Sequence, residues 1–187
     1  MRPSRVFRWI VRIFLLVFTL SLSAVSFLGG FSAVTILDPD SYNINIPDGP
    51  IIVNFNVSDP NNMQIVVPFN ISNAGVYELS NISLGFEIWM TYGDKLNANQ
   101  TTIVQIFDKY VNYGNILPGS TLKTNFNGTG SDGFLIASIP DPNTEIDWTR
   151  TPHPLEFYSN FTFVSSYSLN LYTFTVSIIN FSLGYYP

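Results

Sequence analysis

The stretches Ile65-Val66-Val67-Pro68-Phe69-Asn70-Ile71-Ser72 and Asn81-Ile82-Ser83-Leu84-Gly85-Phe86-Glu87-Ile88-Trp89-Met90 decide the fold. In the first, Ile65, Val67, Phe69 and Ile71 fall on one side, and Pro68, Asn70 and Ser72 on the other. In the second, Ile82, Leu84, Phe86, Ile88 and Met90 share a side. A period of two means strands with one face in a core and one in water.

Outward from this pair the same period continues, less tidily. Ile51–Val57 puts Ile51, Val53, Phe55 and Val57 on one face. Further strands are expected at Thr102–Phe107, Thr121–Phe126, Gly133–Ile139, Leu155–Val164 and Ser168–Ile179. The last changes parity around Tyr172–Thr173, which fits a bulge there. Turns are marked by Asp48-Gly49-Pro50, Asp59-Pro60-Asn61-Asn62, Asn73-Ala74-Gly75, Pro118-Gly119 and Asp141-Pro142-Asn143. Pro68 inside a strand pattern predicts an edge strand, because proline donates nothing to a ladder. Seven or eight short strands in residues 38–187 predict an all-β, antiparallel immunoglobulin/fibronectin-like β-sandwich.

Ahead of it, Ile13–Leu37 carries no charged residue over 25 positions, against about 20 needed to cross a bilayer as a helix. Arg2, Arg5, Arg8 and Arg12 precede this run and supply half of the eight basic residues; all thirteen carboxylates follow it. The expected organisation is a basic cytoplasmic segment (1–12), a transmembrane signal-anchor (13–37) and an extracytoplasmic domain (38–187), oriented by the positive-inside rule. The competing reading is a cleaved secretory signal, with an apolar stretch over Ile13–Leu22 and a small-residue site at Ala24-Val25-Ser26. Either way the domain is exported, to the cell membrane or the cell surface.

Beyond the arginine cluster the chain has a formal charge of −9 on side chains. That excludes the basic footprint needed for nucleic acid or anionic lipid headgroups. With no cysteine there is no disulfide framework, thiolate metal site or cysteine nucleophile. His153 is the single histidine, set between Pro152 and Pro154. There is no Gly-x-Ser-x-Gly elbow, and Gly128-Thr129-Gly130 lacks the lysine of a phosphate-binding loop. Asp141 to Asp147 spaces oxygen ligands like the start of a calcium loop. However, Ile146 stands where a glycine is required and Pro152 where a bidentate glutamate is required, so an acidic turn is expected. No enzyme, cofactor or metal is read from the chain.

Seven Asn-x-Ser/Thr sequons occur, at Asn56, Asn70, Asn81, Asn99, Asn127, Asn160 and Asn180. Asn56, Asn70, Asn81 and Asn160 are expected on the polar faces of strands and Asn99 and Asn127 in loops, where a glycan could be carried. Trp89, at polar parity, and Trp148, after an acidic turn, are the candidate contact residues.

The segment Val67-Pro68-Phe69-Asn70-Ile71-Ser72-Asn73-Ala74-Gly75-Val76-Tyr77-Glu78-Leu79-Ser80-Asn81-Ile82-Ser83-Leu84 resembles the LEA14-like (water-stress and hypersensitive-response) domains, which often follow a membrane anchor in archaea. It also resembles other immunoglobulin-like surface modules. The resemblance implies a non-enzymatic sandwich and transfers no catalytic residue. The chain is therefore read as a membrane-anchored accessory or structural domain, held in the bilayer by residues 13–37 and meeting a protein partner at the membrane or cell surface. Two alternatives stand beside this. One is a carbohydrate- or small-ligand-binding module using Trp89, Trp148 and loop carboxylates. The other is a surface filament subunit with a cleaved signal and a free strand over Tyr42–Ile46.

Overall fold

The computed structural model describes residues 3–56, 59–97, 100–167, 170 and 172–186. One helix, α1 (Pro3–Leu37), leads into two antiparallel sheets. The helix begins ten residues before the expected 13–37, because nothing in Arg5–Arg12 breaks it; Arg5, Arg8 and Arg12 lie on it, and Arg2 lies outside the described residues.

The smaller sheet is built on β3 (Gln64–Ser72), flanked on one side by β6 (Thr121–Thr129). Its other side is shared by two short strands, β1 (Ile44–Asn45) and β2 (Ile52–Asn54), which pair with opposite ends of β3. The larger sheet has the order β5 (Thr101–Ile116), β4 (Leu79–Gly93), β7 (Leu155–Tyr167), β8 (Tyr172–Tyr186). All ladders are antiparallel.

The inner faces of the two sheets share one core. Ile65, Val67, Phe69 and Ile71 of β3 are fully buried, as are Ile82, Leu84, Phe86, Ile88 and Met90 of β4, as their alternation requires. Phe86 sits at the centre, with ring centroids 4.3 Å from Phe161, 5.8 Å from Phe107 and 5.8 Å from Phe126 of the opposite sheet. Phe69 and Tyr113 close the gap between sheets at 4.8 Å.

Several expectations are corrected. Pro68 lies on the central strand β3, not an edge. Its carbonyl accepts from Asp48 N at 2.7 Å, so its missing N–H faces the interval between β1 and β2, where no strand needs it. Gly133–Ile139 is not a strand; Phe134 makes one bridge to Phe107 and residues 136–138 form a 3₁₀ turn. The strand expected over Ile51–Val57 shrinks to Ile52–Asn54, and Val57 lies outside the described residues. Phe174, Val176 and Ile178 keep one parity, so no switch occurs at Tyr172–Thr173. The switch comes at Asn180, whose φ is 57° and where the pairing with β7 slips. Ile44 and Asn45 are paired to Ile71 and Asn70, so Tyr42–Ile46 is not a free strand.

Strand direction divides the domain into two ends. The turns β3–β4, β5–β6 and β7–β8 gather at the end where α1 arrives. The turns β2–β3, β4–β5 and β6–β7 gather at the far end.

Candidate functional site

The outer face of the larger sheet carries the cluster with the most chemistry. β4 and β7 set Glu87 opposite Asn160, Trp89 opposite Tyr158 and Thr91 opposite Glu156; β5 adds Gln105 beside Trp89 and Ile103 beside Thr91. Trp89 Nε1 donates to Glu87 Oε2 at 3.4 Å, and Asn160 Nδ2 donates to the same oxygen at 3.1 Å. Tyr158 OH donates to Glu156 Oε2 at 2.8 Å. That bond and the charge of Glu156 hold the phenol above its ordinary range, since ionisation would set two negative groups together. The result is an aromatic pair framed by two carboxylates. It lines a shallow depression of about 420 Å³ with Thr91, Ile103, Asn160 and Asn180. Each carboxylate already accepts a bond from its aromatic neighbour, so the arrangement orients rings and acceptors and prepares no nucleophile.

Trp89 is therefore half-buried at the polar parity expected for it. Trp148 sits elsewhere, in the far-end loop, with Nε1 donating to Pro142 O at 2.6 Å. The depression does not combine the two tryptophans. Tyr158, which lines it, and Glu87 and Glu156, which accept from its aromatic residues, went unnoticed in the sequence; the register that joins β4 to β7 is invisible before pairing is known.

The far end is polar. Asp94, Asp147 and Arg150 line a cleft of about 370 Å³ with Gln100, Thr101 and Thr149. Asp94 accepts from Asn97 Nδ2 at 2.7 Å and from Leu96 N at 2.8 Å, bonds that hold its carboxyl below the usual range. Asp147 is held low by the Thr149 hydroxyl (2.6 Å) and amide (3.0 Å). In the acidic turn, Asp141 Oδ1 accepts from Asn143 N at 2.8 Å and Glu145 Oε2 accepts from Asp141 N at 2.7 Å. These carboxylates cap their own loops. Among the described residues no group of three His, Asp or Glu side chains is placed to hold a metal ion. His153 stacks on Tyr185 with centroids 3.5 Å apart.

The sequons fall into distinct environments. Asn81, at a bulge with φ 54°, Asn127 on β6 and Asn180 on β8 are exposed. Asn56 is exposed just beyond β2, and its Oδ1 accepts from Asp59 N. Asn70 and Asn160 are half-buried. Asn99 lies outside the described residues.

The sheet edges differ sharply. The outer edge of β5 carries Asp108 and Lys109 and is covered where Asp108 N donates to Gly133 O and Leu135 N to Ile106 O. The β1/β2 edge is two fragments. β6 is nine residues with Lys123 on it. β8 runs fifteen residues, Tyr172–Tyr186, without one charge. Among the described residues no backbone bond reaches its outer edge.

No family model matches the chain, and no curated protein matches it. Among solved structures, the chain is similar to the sporulation control protein Spo0M from Bacillus subtilis. The TM-score is 0.32 at 13% identity, over 74% of this chain and 49% of that one. The chain thus spans about half the length of that protein.

Proposed function

We propose that the chain is a membrane-anchored, non-enzymatic extracytoplasmic domain that joins a larger membrane or envelope assembly through the β8 edge. The observation that carries this is the contrast among edges. An uncharged, fifteen-residue edge strand is a template for strand addition, whereas the other three edges are short, interrupted, charged or covered. Ile178, Ile179, Phe181 and Tyr185 are exposed along it. A second copy in the same membrane is a poor occupant. Antiparallel pairing of β8 with itself sets the two anchors at opposite ends, so the partner is an uncharged extended strand of a different polypeptide. The strand orders β1/β2–β3–β6 and β5–β4–β7–β8 support a fibronectin-type sandwich within this reading. The helix over Phe7–Leu37 holds an 18-residue window of mean hydropathy 2.2, which supports the anchor.

The test is the mass of the full chain extracted from its native membrane in mild detergent, beside a Thr175→Lys, Ser177→Lys variant. Both positions are exposed on β8, so the variant should keep its melting temperature and run as a monomer while the wild type runs with its partner. A bare wild-type monomer, or an assembly indifferent to the two lysines, overturns the proposal.

A second reading has its own support in the Trp89–Tyr158 depression. Aromatic faces beside carboxylates suit a sugar, whose C–H faces stack while its hydroxyls find acceptors. A saccharide at a hundredfold its dissociation constant should stabilise the chain by about 2.7 kcal/mol. Trp89→Ala should abolish the shift; a saccharide panel without any shift removes this reading.

A further inference from the structure

The last turns of α1 belong to the β-domain. Val25, Gly29, Ser32, Ala33 and Ile36 recur at helical spacing and are wholly or partly buried, with Ser32 and Ile36 each 1% exposed. Three bonds fix the contact: Ser32 Oγ accepts from Val76 N at 3.3 Å, Ser26 O from Tyr172 OH at 3.4 Å, and Thr35 O from Asn43 Nδ2 at 2.9 Å. The helix therefore does not end in a flexible stalk.

This docking shortens the free span. Between Arg12 and the first docked residue, Val25, lie twelve residues, about 18 Å of helix. The hydrocarbon core is about 30 Å thick. Twenty residues counted from Ile13 reach Ser32, which bonds the β3–β4 turn. If the arginines stay at their interface, the near end of the domain meets the acyl boundary.

The near end is built for that contact. The back of the docked helix is apolar, with Phe27 73%, Phe31 63% and Val34 71% exposed. The turn tips carry Val76, 56% exposed, and Leu117, 62% exposed. Tyr172, whose hydroxyl bonds the helix, has the amphipathic shape of an interfacial residue. Glu78 is the one charged residue in turns 73–78 and 117–120, and Asp38 and Asp40 follow the helix at this end, whereas Asp59, Asp94, Asp132, Asp141, Glu145 and Asp147 all lie at the far end.

Building on the anchor reading of the helix, we infer that the near end of the domain is seated in the interfacial layer of the bilayer. The tips at Val76 and Leu117 and the ring of Tyr172 are immersed there. The domain then stands in one orientation, with its acidic end outermost and the β8 edge presented upright.

The absence of cysteine makes this directly testable. Val76→Cys, Leu117→Cys, Leu96→Cys at the far end and Leu16→Cys in the helix each carry an environment-sensitive fluorophore. The full chain is reconstituted in phosphatidylcholine vesicles, with and without lipids bearing a spin-label quencher near the headgroup or deep in the chain. The labels at 76 and 117 should be quenched by the shallow lipid and shielded from iodide, and the label at 96 should be quenched by iodide alone. Labels at 76 and 117 as open to iodide as the label at 96, with the label at 16 quenched by the deep lipid, overturn the inference and leave the anchor standing. A label at 16 untouched by either lipid quencher removes the anchor, and the inference with it.

Discussion

Ser32 Oγ accepts the Val76 backbone N–H at 3.3 Å, across 44 residues of chain. The bond joins the helix to the β3–β4 turn. It makes the turn serve two purposes: it connects the two sheets and it receives the helix. Gly75 lies at the meeting point, with Tyr167 Oη, Ile36 Cδ1 and Ser32 Cβ all close to where a side chain would stand.

Gly75→Val should therefore loosen the junction. A Cβ there overlaps Tyr167 Oη and stands 3.0 Å from both Ile36 Cδ1 and Ser32 Cβ. Tyr167 cannot retreat freely, since its Oη accepts Tyr77 N at 2.9 Å and its side chain is fully buried. Overpacking of this kind costs about 1–3 kcal/mol, or roughly 2–10 °C in Tm. Thermal melts of the detergent-solubilised chain check it, and an unchanged melting temperature would show that the junction repacks at no cost.

Asn73 is the polar pivot of the same turn. It is 1% exposed, its Nδ2 donates to Tyr77 O (2.8 Å) and Ile116 O (2.9 Å), and its Oδ1 accepts Gly75 N (3.0 Å). Asn73→Ala leaves these buried groups unpaired and should cost about 3 kcal/mol, by the usual penalty of 1–3 for each group. Asn73→Asp should be worse at neutral pH, where a carboxylate confronts two carbonyls, and should recover as acid protonates it. Denaturant titrations at pH 4 and pH 7 separate these; an aspartate variant insensitive to pH counts against the pivot.

The core strands were legible because their alternation is unbroken: Ile65 to Ile71 and Ile82 to Met90 are buried as read. What escaped were positions where the ladder slips. β5 extends to Ile116, but a bulge at Ile106 buries two consecutive residues, Ile106 and Phe107, and spoils the period. In β8 the slip at Asn180 likewise hides the strand's length. Pro68 misled because an edge and an interval between two half-strands satisfy proline equally. The outer-face cluster needed cross-strand register, which one sequence does not carry. The docking of α1 was hidden because Gly29, Ser32 and Ile36 lie inside the uncharged run Ile13–Leu37, which reads as membrane span from end to end.

Acid should loosen the far end first. Asp94, Asp141 and Asp147 are each held below the ordinary carboxyl range by hydrogen bonds within their own loops, from Asn97, Asn143 and Thr149 respectively. A carboxyl whose folded value is lowered contributes stability that is full above its unfolded value, about 3.9, and is lost as pH falls through the folded one. The loss therefore begins below about pH 4. Hydrogen exchange, corrected for intrinsic rates, should show residues 94–97 and 141–149 losing protection between pH 6 and pH 3 while the Asn73 turn keeps it. Equal loss at both ends would remove the local capping explanation.

Glycan occupancy, if the chain is modified, should follow amide access and not sequon count. Asn160 has both ends of its amide engaged, Nδ2 to Glu87 at 3.1 Å and Oδ1 to Asn180 N at 3.0 Å. Glycosylating it replaces one of the two Nδ2 hydrogens and sets a sugar beside Glu87 on a half-buried face. Asn81 and Asn127 are exposed, so mass spectrometry of the native chain should find sugar on these and none on Asn160. Asn180 is the discriminating position, because it is exposed and also lines the Trp89–Tyr158 depression. A glycan there lies over the aromatic pair and closes it to free saccharide. Occupancy at Asn180 therefore turns the cluster into a seat for the chain's own sugar, and an unmodified Asn180 leaves it open to a ligand from outside.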